Sequence, residues 1–263
     1  MNSKQKNIVL LGFLVLLLII LNYPLLDESL SEFLDVREKV HVERVIDGDT
    51  IVGENLSNSI RLLGINTPER GELYSEEATE FLQLRVLNET VELEFGKEKT
   101  DLYGRFLAYV YINRTNVNLQ LVENGFANYY FPSGKDQKYN DFKEAWESCI
   151  ERNTRLCEAS THVCSQCIQL EEFDYKNDRI VFHNTCNNVC ELTNWEIKDE
   201  GRKKFVFPEF VLHPNNEVTI EVRSETDNSN VLFWRGETYV FTETGDTLFL
   251  RDDAGKLVLW EGY

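Results

Sequence analysis

The chain has 263 residues, 42% of them hydrophobic and 12% aromatic, and a formal net charge of −18. That composition belongs to a globular protein with room for two modest domains. The acidity, spread along the chain, excludes the broad basic footprint of a protein that grips nucleic acid over a wide surface. A nucleic-acid substrate would have to be met locally, by a few arginines and a metal ion.

Lys4 and Lys6 precede an unbroken apolar run from Ile8 to Leu21, extended by Leu25 and Leu26. A charged segment followed by a long apolar one reads as an export signal. No small-x-small cleavage site follows it, so residues 1–26 are expected to stay on as a membrane anchor with the positive end inside. Cleavage would make the protein secreted, and either way it is extracytoplasmic. Residues 27–39 read as a polar, acidic tether.

From His41 the pattern is one of short strands: 41–46, 49–53 and 59–65. The first two flank "RVIDGDTIV" (44–52), where Asp47-Gly48-Asp49 interrupts strand formers. Asp-Gly between apolar runs is a hairpin signal, so a tight turn is the plain reading of the two acids. Ser75 to Leu87 reads as a helix with Ala78, Phe81, Leu82 and Val86 or Leu87 on one face. Strands follow at 90–95 and 105–112, a helix at 116–124 stopped by Gly125, and a helix from Asp136 to about Glu151. The class expected for residues 40–158 is α+β, a small five-stranded barrel with helices.

Cys149, Cys157, Cys164, Cys167, Cys186 and Cys190 all lie near the middle of the chain, several around a linker at 159–167. Two close pairs about twenty residues apart are compatible with zinc. In an exported chain an even cysteine count points instead to two or three disulfides of open connectivity. Sequons at Asn55, Asn88 and Asn113 are compatible with an exterior location. Residues 168–263 then change texture, with short strands at "RIVFH", "KFVFP", "EVTIEV", "NVLFW", "ETYVF", "DTLFL" and "KLVLWE" and a hairpin turn at "RDDAGK" (251–256). That spacing is that of an all-β sandwich.

The partners for Asp49 come from "IRLLGINTPERGELYSEEA" (60–78) and "DLYGRFLAYVY" (101–111). Arg61 heads an apolar strand, where a side chain that keeps its charge must find an anion. Glu69 follows a strand that Thr67-Pro68 ends abruptly, and Arg105 begins another after a glycine turn. Phosphodiester hydrolysis gathers negative charge on non-bridging oxygens, which guanidinium forks and a hard cation on oxygen ligands stabilise.

Taken together with "VIDGDT" and "LVENGFA", these motifs resemble the thermonuclease, or staphylococcal nuclease-like, family, in order and with suitable spacing from Val42 to about Cys157. The resemblance implies an OB-fold barrel with packed helices and calcium-dependent hydrolysis of DNA and RNA to 3′-phosphates. Carried over by position, it implies that Asp49 and the Thr67 carbonyl bind Ca2+, with Asp47 supporting from behind. Glu69 would orient or deprotonate water, Arg61 and Arg105 would hold the phosphate, and Tyr103 would line the nucleotide site. The family's second metal carboxylate falls on Asn66, an uncharged oxygen ligand. The C-terminal region, through "LTNW" and "GDTLFLRD", looks like a lamin-tail domain, an immunoglobulin-like β-sandwich implying interaction or targeting with an unknown partner. The alternative function is a catalytically weak or inactive binding module of the cell envelope on the same scaffold. The protein is expected to be a monomer, and the barrel to fold and cut when truncated after about Ser160.

Overall fold

In this computed structural model the described residues are 37–263, with Gln5 and Gly12. The expected anchor at 1–26 and the tether lie almost wholly outside them, and no helix among the described residues is long and apolar enough to cross a membrane.

The first strands are β1 (Glu38–Asp47), β2 (Thr50–Gly53), β3 (Ile60–Leu62) and β4 (Gly64–Asn66). After helix α1 (Ser75–Val86) come β5 (Thr90–Thr100), β6 (Phe106–Ile112) and β7 (Thr115–Asn116). Helix α2 (Val117–Glu123), β8 (Asn128–Tyr130) and helix α3 (Tyr139–Arg152) complete this half. The sheet runs β3-β2-β1-β5-β6-β7, and a parallel β3–β6 pairing closes the first five strands into the expected OB-like barrel. Helix α1 packs Ala78, Leu82 and Val86 inward, a three-to-four residue repeat.

Two expectations shift. The strand read as 59–65 is two strands, because Leu63 turns its backbone N–H to the Ala108 carbonyl of β6. Helix α3 starts at Tyr139 rather than at Asp136. The Asp136 carboxylate is taken by the Lys138 N–H and by the Tyr109 hydroxyl, which holds it outside the helix.

The C-terminal half contains β9 (Ile168–Asp174), β10 (Arg179–Asn184), β11 (Cys190–Glu191), β12 (Glu196–Lys198) and β13 (Lys204–Val206). It continues with β14 (Val211–Leu212), β15 (Glu217–Glu221), β16 (Val231–Phe233), β17 (Thr247–Arg251) and β18 (Leu257–Gly262). Its two main sheets are β16-β15-β10-β9 and β13-β12-β17-β18. "ETYVF" is not a strand. The N–H groups of Val240 and Phe241 bond the Asp178 carboxylate instead of a neighbouring strand.

All six cysteines are bridged, as Cys149–Cys157, Cys164–Cys190 and Cys167–Cys186. The last two pin the segment before β9 to the sandwich core, where Cys164, Cys167 and Cys190 are buried among Ile168, Trp195 and Leu212. The sequon asparagines Asn55, Asn88 and Asn113 all sit in exposed turns at positive φ, a conformation asparagine tolerates better than most residues.

The halves share a core. Along β17, Leu248 and Leu250 face the sandwich interior, while Phe249 points the other way, into the barrel's cluster with Leu257. There Phe249 meets Trp146 of α3 edge to face at 5.3 Å, and Trp260 meets the same ring at 6.4 Å. Polar groups cross the seam as well. The Tyr129 hydroxyl pairs with Thr247 at 2.7 Å, Arg251 donates to the Leu156 carbonyl at 2.7 Å, and Asn128 donates to the Glu200 carbonyl at 2.8 Å. A barrel cut after Ser160 would expose this seam to water, which is a physical obstacle to its folding alone.

Candidate active site

The acidic turn of the sequence is the β1–β2 hairpin, in which Asp47 pairs with Thr50 across Gly48-Asp49. Gly48 is required by crowding: a Cβ there would lie 2.9 Å from both Ala78 of α1 and the Thr67 hydroxyl. This close approach is what brings the turn against the end of β4. Asp49, only 5% exposed, accepts bonds from the Thr67 N–H at 3.3 Å and its hydroxyl at 3.1 Å. Asp47 accepts from the Asp49 N–H at 3.2 Å. Burial, and then the neighbouring Asp49 charge, raise the Asp47 carboxyl above the usual carboxylate range.

The β2–β3 register places Arg61 opposite Thr50, beside this turn. Its guanidinium meets the Asp49 carboxylate at 2.9 Å, the Asn66 amide oxygen at 3.3 Å and the Leu62 carbonyl at 2.7 Å. At 7% exposed it is a buried cation whose charge is met by Asp49. Burial lowers the Arg61 pKa, and Asp49 opposes that while the positive charges of Arg105 and Arg202 reinforce it. The parallel β3–β6 pairing of Ile60 with Phe106 sets Arg105 at the neighbouring strand end. Arg105 is held by Asp101 at 2.7 Å and lies 5.6 Å from the centre of the exposed Tyr103 ring.

The remaining sequence-derived candidates meet residues that were not anticipated. Asn66 donates through its amide nitrogen to the Gly201 carbonyl at 2.7 Å, which turns its oxygen toward Arg61. Glu69 pairs with Arg202 at 2.6 Å, and Glu72 pairs with Lys198 and Lys204, each at 3.2 Å. All these partners come from "KDEGRKK" (198–204), the turn between β12 and β13 of the sandwich. The structure thus brings Asp47, Asp49, Arg61, Asn66 and Thr67 together, sets Arg105 and Tyr103 on the adjoining strand end, and holds Glu69 across from the sandwich.

The sequence profile described as staphylococcal nuclease homologue matches residues 59–154, and that of the lamin tail domain matches 165–263. Over 112 residues the chain is 38% identical to the thermonuclease of Staphylococcus intermedius, covering 38% of this chain and 67% of that protein. Over 107 residues it is 36% identical to the thermonuclease of Staphylococcus hyicus, covering 37% and 63%. With endonuclease YncB of Bacillus subtilis it shares 33% identity over 111 residues, 39% and 53% of the two lengths.

The chain belongs to the staphylococcal nuclease family. It spans between about half and two thirds of these three relatives.

The oxygen donors of this nuclease-family site fit a hard cation. They are the Asp49 carboxylate, the inward-facing Asn66 amide oxygen and the Thr67 segment, and they lack soft nitrogen or sulfur ligands. No group of three or more His, Cys, Asp or Glu side chains among the described residues could hold a metal. A cation here would therefore rest on one charged ligand and neutral oxygens. Sequence reasoning missed the 198–204 turn because strand patterning locates a turn without saying what it touches. Its one signal was four basic residues within seven in an acidic chain.

Proposed function

We propose that this protein is a calcium-dependent nuclease that hydrolyses phosphodiester bonds of DNA and RNA to 3′-phosphate products outside the cytoplasm. The observation that carries the reading is a buried arginine, Arg61, bonded at once to the acid and the amide oxygen of an oxygen-rich cluster. An arginine in that position presents N–H donors to a phosphate in a site with little competing water, where such donors are worth most. Asp49, Asn66 and Thr67 would hold calcium, which supplies charge neutralisation for the phosphate when bound. The Asp47 carboxylate supports Asp49 by accepting a bond from the Asp49 backbone N–H. Glu69 takes the proton of, or orients, the attacking water, Arg61 and Arg105 bind the non-bridging oxygens, and Tyr103 offers a ring face to a base.

Three disulfides favour an oxidising compartment, consistent with an N-terminal segment that anchors the protein or is removed on secretion. The sandwich serves as an interaction domain as well. A second reading, a non-catalytic binding module, is favoured by one observation: position 66 supplies an amide where a carboxylate would add charge. Digestion of single-stranded DNA by the soluble chain, with calcium and with chelator, decides between them. Calcium-dependent cleavage supports the nuclease; binding without cleavage supports the module.

A further inference from the structure

The sandwich reaches the nuclease site through a turn built to present positive charge. Within Lys198–Lys204, Asp199 and Glu200 are buried, at 6% and 4% exposed, against the barrel and Asp246. The basic side chains differ in what they meet. Lys198 and Lys204 are spent on Glu72, and Lys203 on the Tyr239 carbonyl and ring. Arg202 differs from them. At 63% side-chain exposure it pairs with Glu69 and follows Gly201, whose carbonyl binds the same Asn66 that Arg61 contacts. Three guanidinium groups thus border the Asn66 cluster, Arg105 through the β3–β6 pairing and Arg202 through Gly201, each held by its own carboxylate: Arg61 by Asp49, Arg105 by Asp101 and Arg202 by Glu69.

Like charges bordering one cluster mark a place for an anion, and the exposed member is the freest to move to it. We propose that Arg202, contributed by the C-terminal sandwich, is a substrate-binding residue that exchanges Glu69 for a backbone phosphate next to the scissile one. The ligand class is a nucleic-acid strand with at least two phosphodiesters. Its binding draws Arg202 off Glu69 and leaves that carboxylate to the attacking water. The sandwich is then one wall of the active site, and the bond from the Asn66 side-chain amide to the Gly201 carbonyl sets its height. This inference rests on the nuclease reading for the role of Glu69, although phosphate binding by Arg202 does not require cleavage.

The test compares wild type, Arg202→Ala and Arg202→Lys in two measurements across a salt series. The first is anisotropy of a fluorescent single-stranded 12-mer in EDTA. The second is calcium-dependent turnover of the same 12-mer and of a chromogenic nucleotide carrying a single diester. One lost phosphate contact should flatten the slope of log affinity against log salt by about 0.7 for Arg202→Ala, and Arg202→Lys should restore most of it. KM for the 12-mer should rise roughly tenfold, in line with one charge-assisted contact, while KM for the single diester stays unchanged. An unchanged slope would reduce Arg202 to a surface ion pair and overturn the proposal. So would faster turnover with tighter 12-mer binding, which would make Arg202 only a competitor for Glu69. A wild type that binds with the full slope and does not cut would overturn the nuclease reading while leaving Arg202 as a phosphate ligand.

Discussion

Phe249→Ala tests whether the halves form one cooperative structure. Phe249 sits on a sandwich strand, is 2% exposed, and packs its ring 5.3 Å from Trp146, itself fully buried on the barrel's helix α3. Truncating a buried phenylalanine removes its transfer energy and leaves a cavity, together about 3–5 kcal/mol. For a unit of this size each kcal/mol moves the midpoint by roughly 2–4 °C, so a fall of about 6–20 °C is expected. The assay is thermal unfolding by calorimetry, with the thermal loss of calcium-dependent DNA cleavage followed in parallel. If the core is shared, a single transition falls and the loss of activity tracks it, because the cavity opens against Trp146. Two transitions, with inactivation unmoved, would show that the barrel stands by itself and that the seam contributes little. A soluble, active fragment ending at Ser160 would refute the reasoning more directly still.

Glu69→Gln and Arg105→Ala should each lower kcat on single-stranded DNA about a hundredfold at saturating calcium, with the melting midpoint little changed. Arg61→Ala should lose comparable activity and also stability, because it leaves Asp49 buried without its ion-pair partner. Asn66→Asp should tighten calcium binding in calorimetry by adding a charged ligand. It should also destabilise the fold by about 1–3 kcal/mol, since a carboxylate replaces the amide N–H that reaches the Gly201 carbonyl; an unchanged melting midpoint would mean that this contact is absent in solution. The acids buried at the seam make stability depend on pH. Burial, then the charge of Asp246, pushes Glu200 up to about 8 and Asp199 up to about 7. Both folded values lie above the unfolded ones, so the fold binds the extra protons and is favoured at low pH. That contribution is lost as pH rises from about 4 through 8. The melting midpoint should fall across pH 5 to 8, and Glu200→Gln, which can still bond Phe131 and Thr247, should flatten the fall. Identical profiles for the two proteins would remove Glu200 as the source.

The sequence by itself determined the local pieces. The 3.6-residue repeat of Ala78, Leu82 and Val86 placed helix α1, and the Asp-Gly turn placed the β1–β2 hairpin, because these depend on neighbours along the chain. It showed that Asp49, Arg61 and Arg105, charged residues at the lips of apolar strands, need partners, and the resemblance to the thermonuclease family joined them as a set. Helix α3 began later than its pattern implied because Tyr109, 27 residues away, captures the carboxylate of Asp136. "ETYVF" has the composition of a strand but spends two of its N–H groups on Asp178, a competition that strand propensity does not contain. Strand β17 reads as a run of apolar residues. Only the tertiary structure decides that Leu248 and Leu250 fill the sandwich while Phe249 fills the barrel, because a strand buried on both faces hides its alternation. The "KDEGRKK" turn shows only its charges in the sequence. Its place against Asn66, Glu69 and Glu72 follows from how the β13-β12-β17-β18 sheet packs on α3 through Phe249 and Trp260, a long-range packing outcome that residue types do not encode locally.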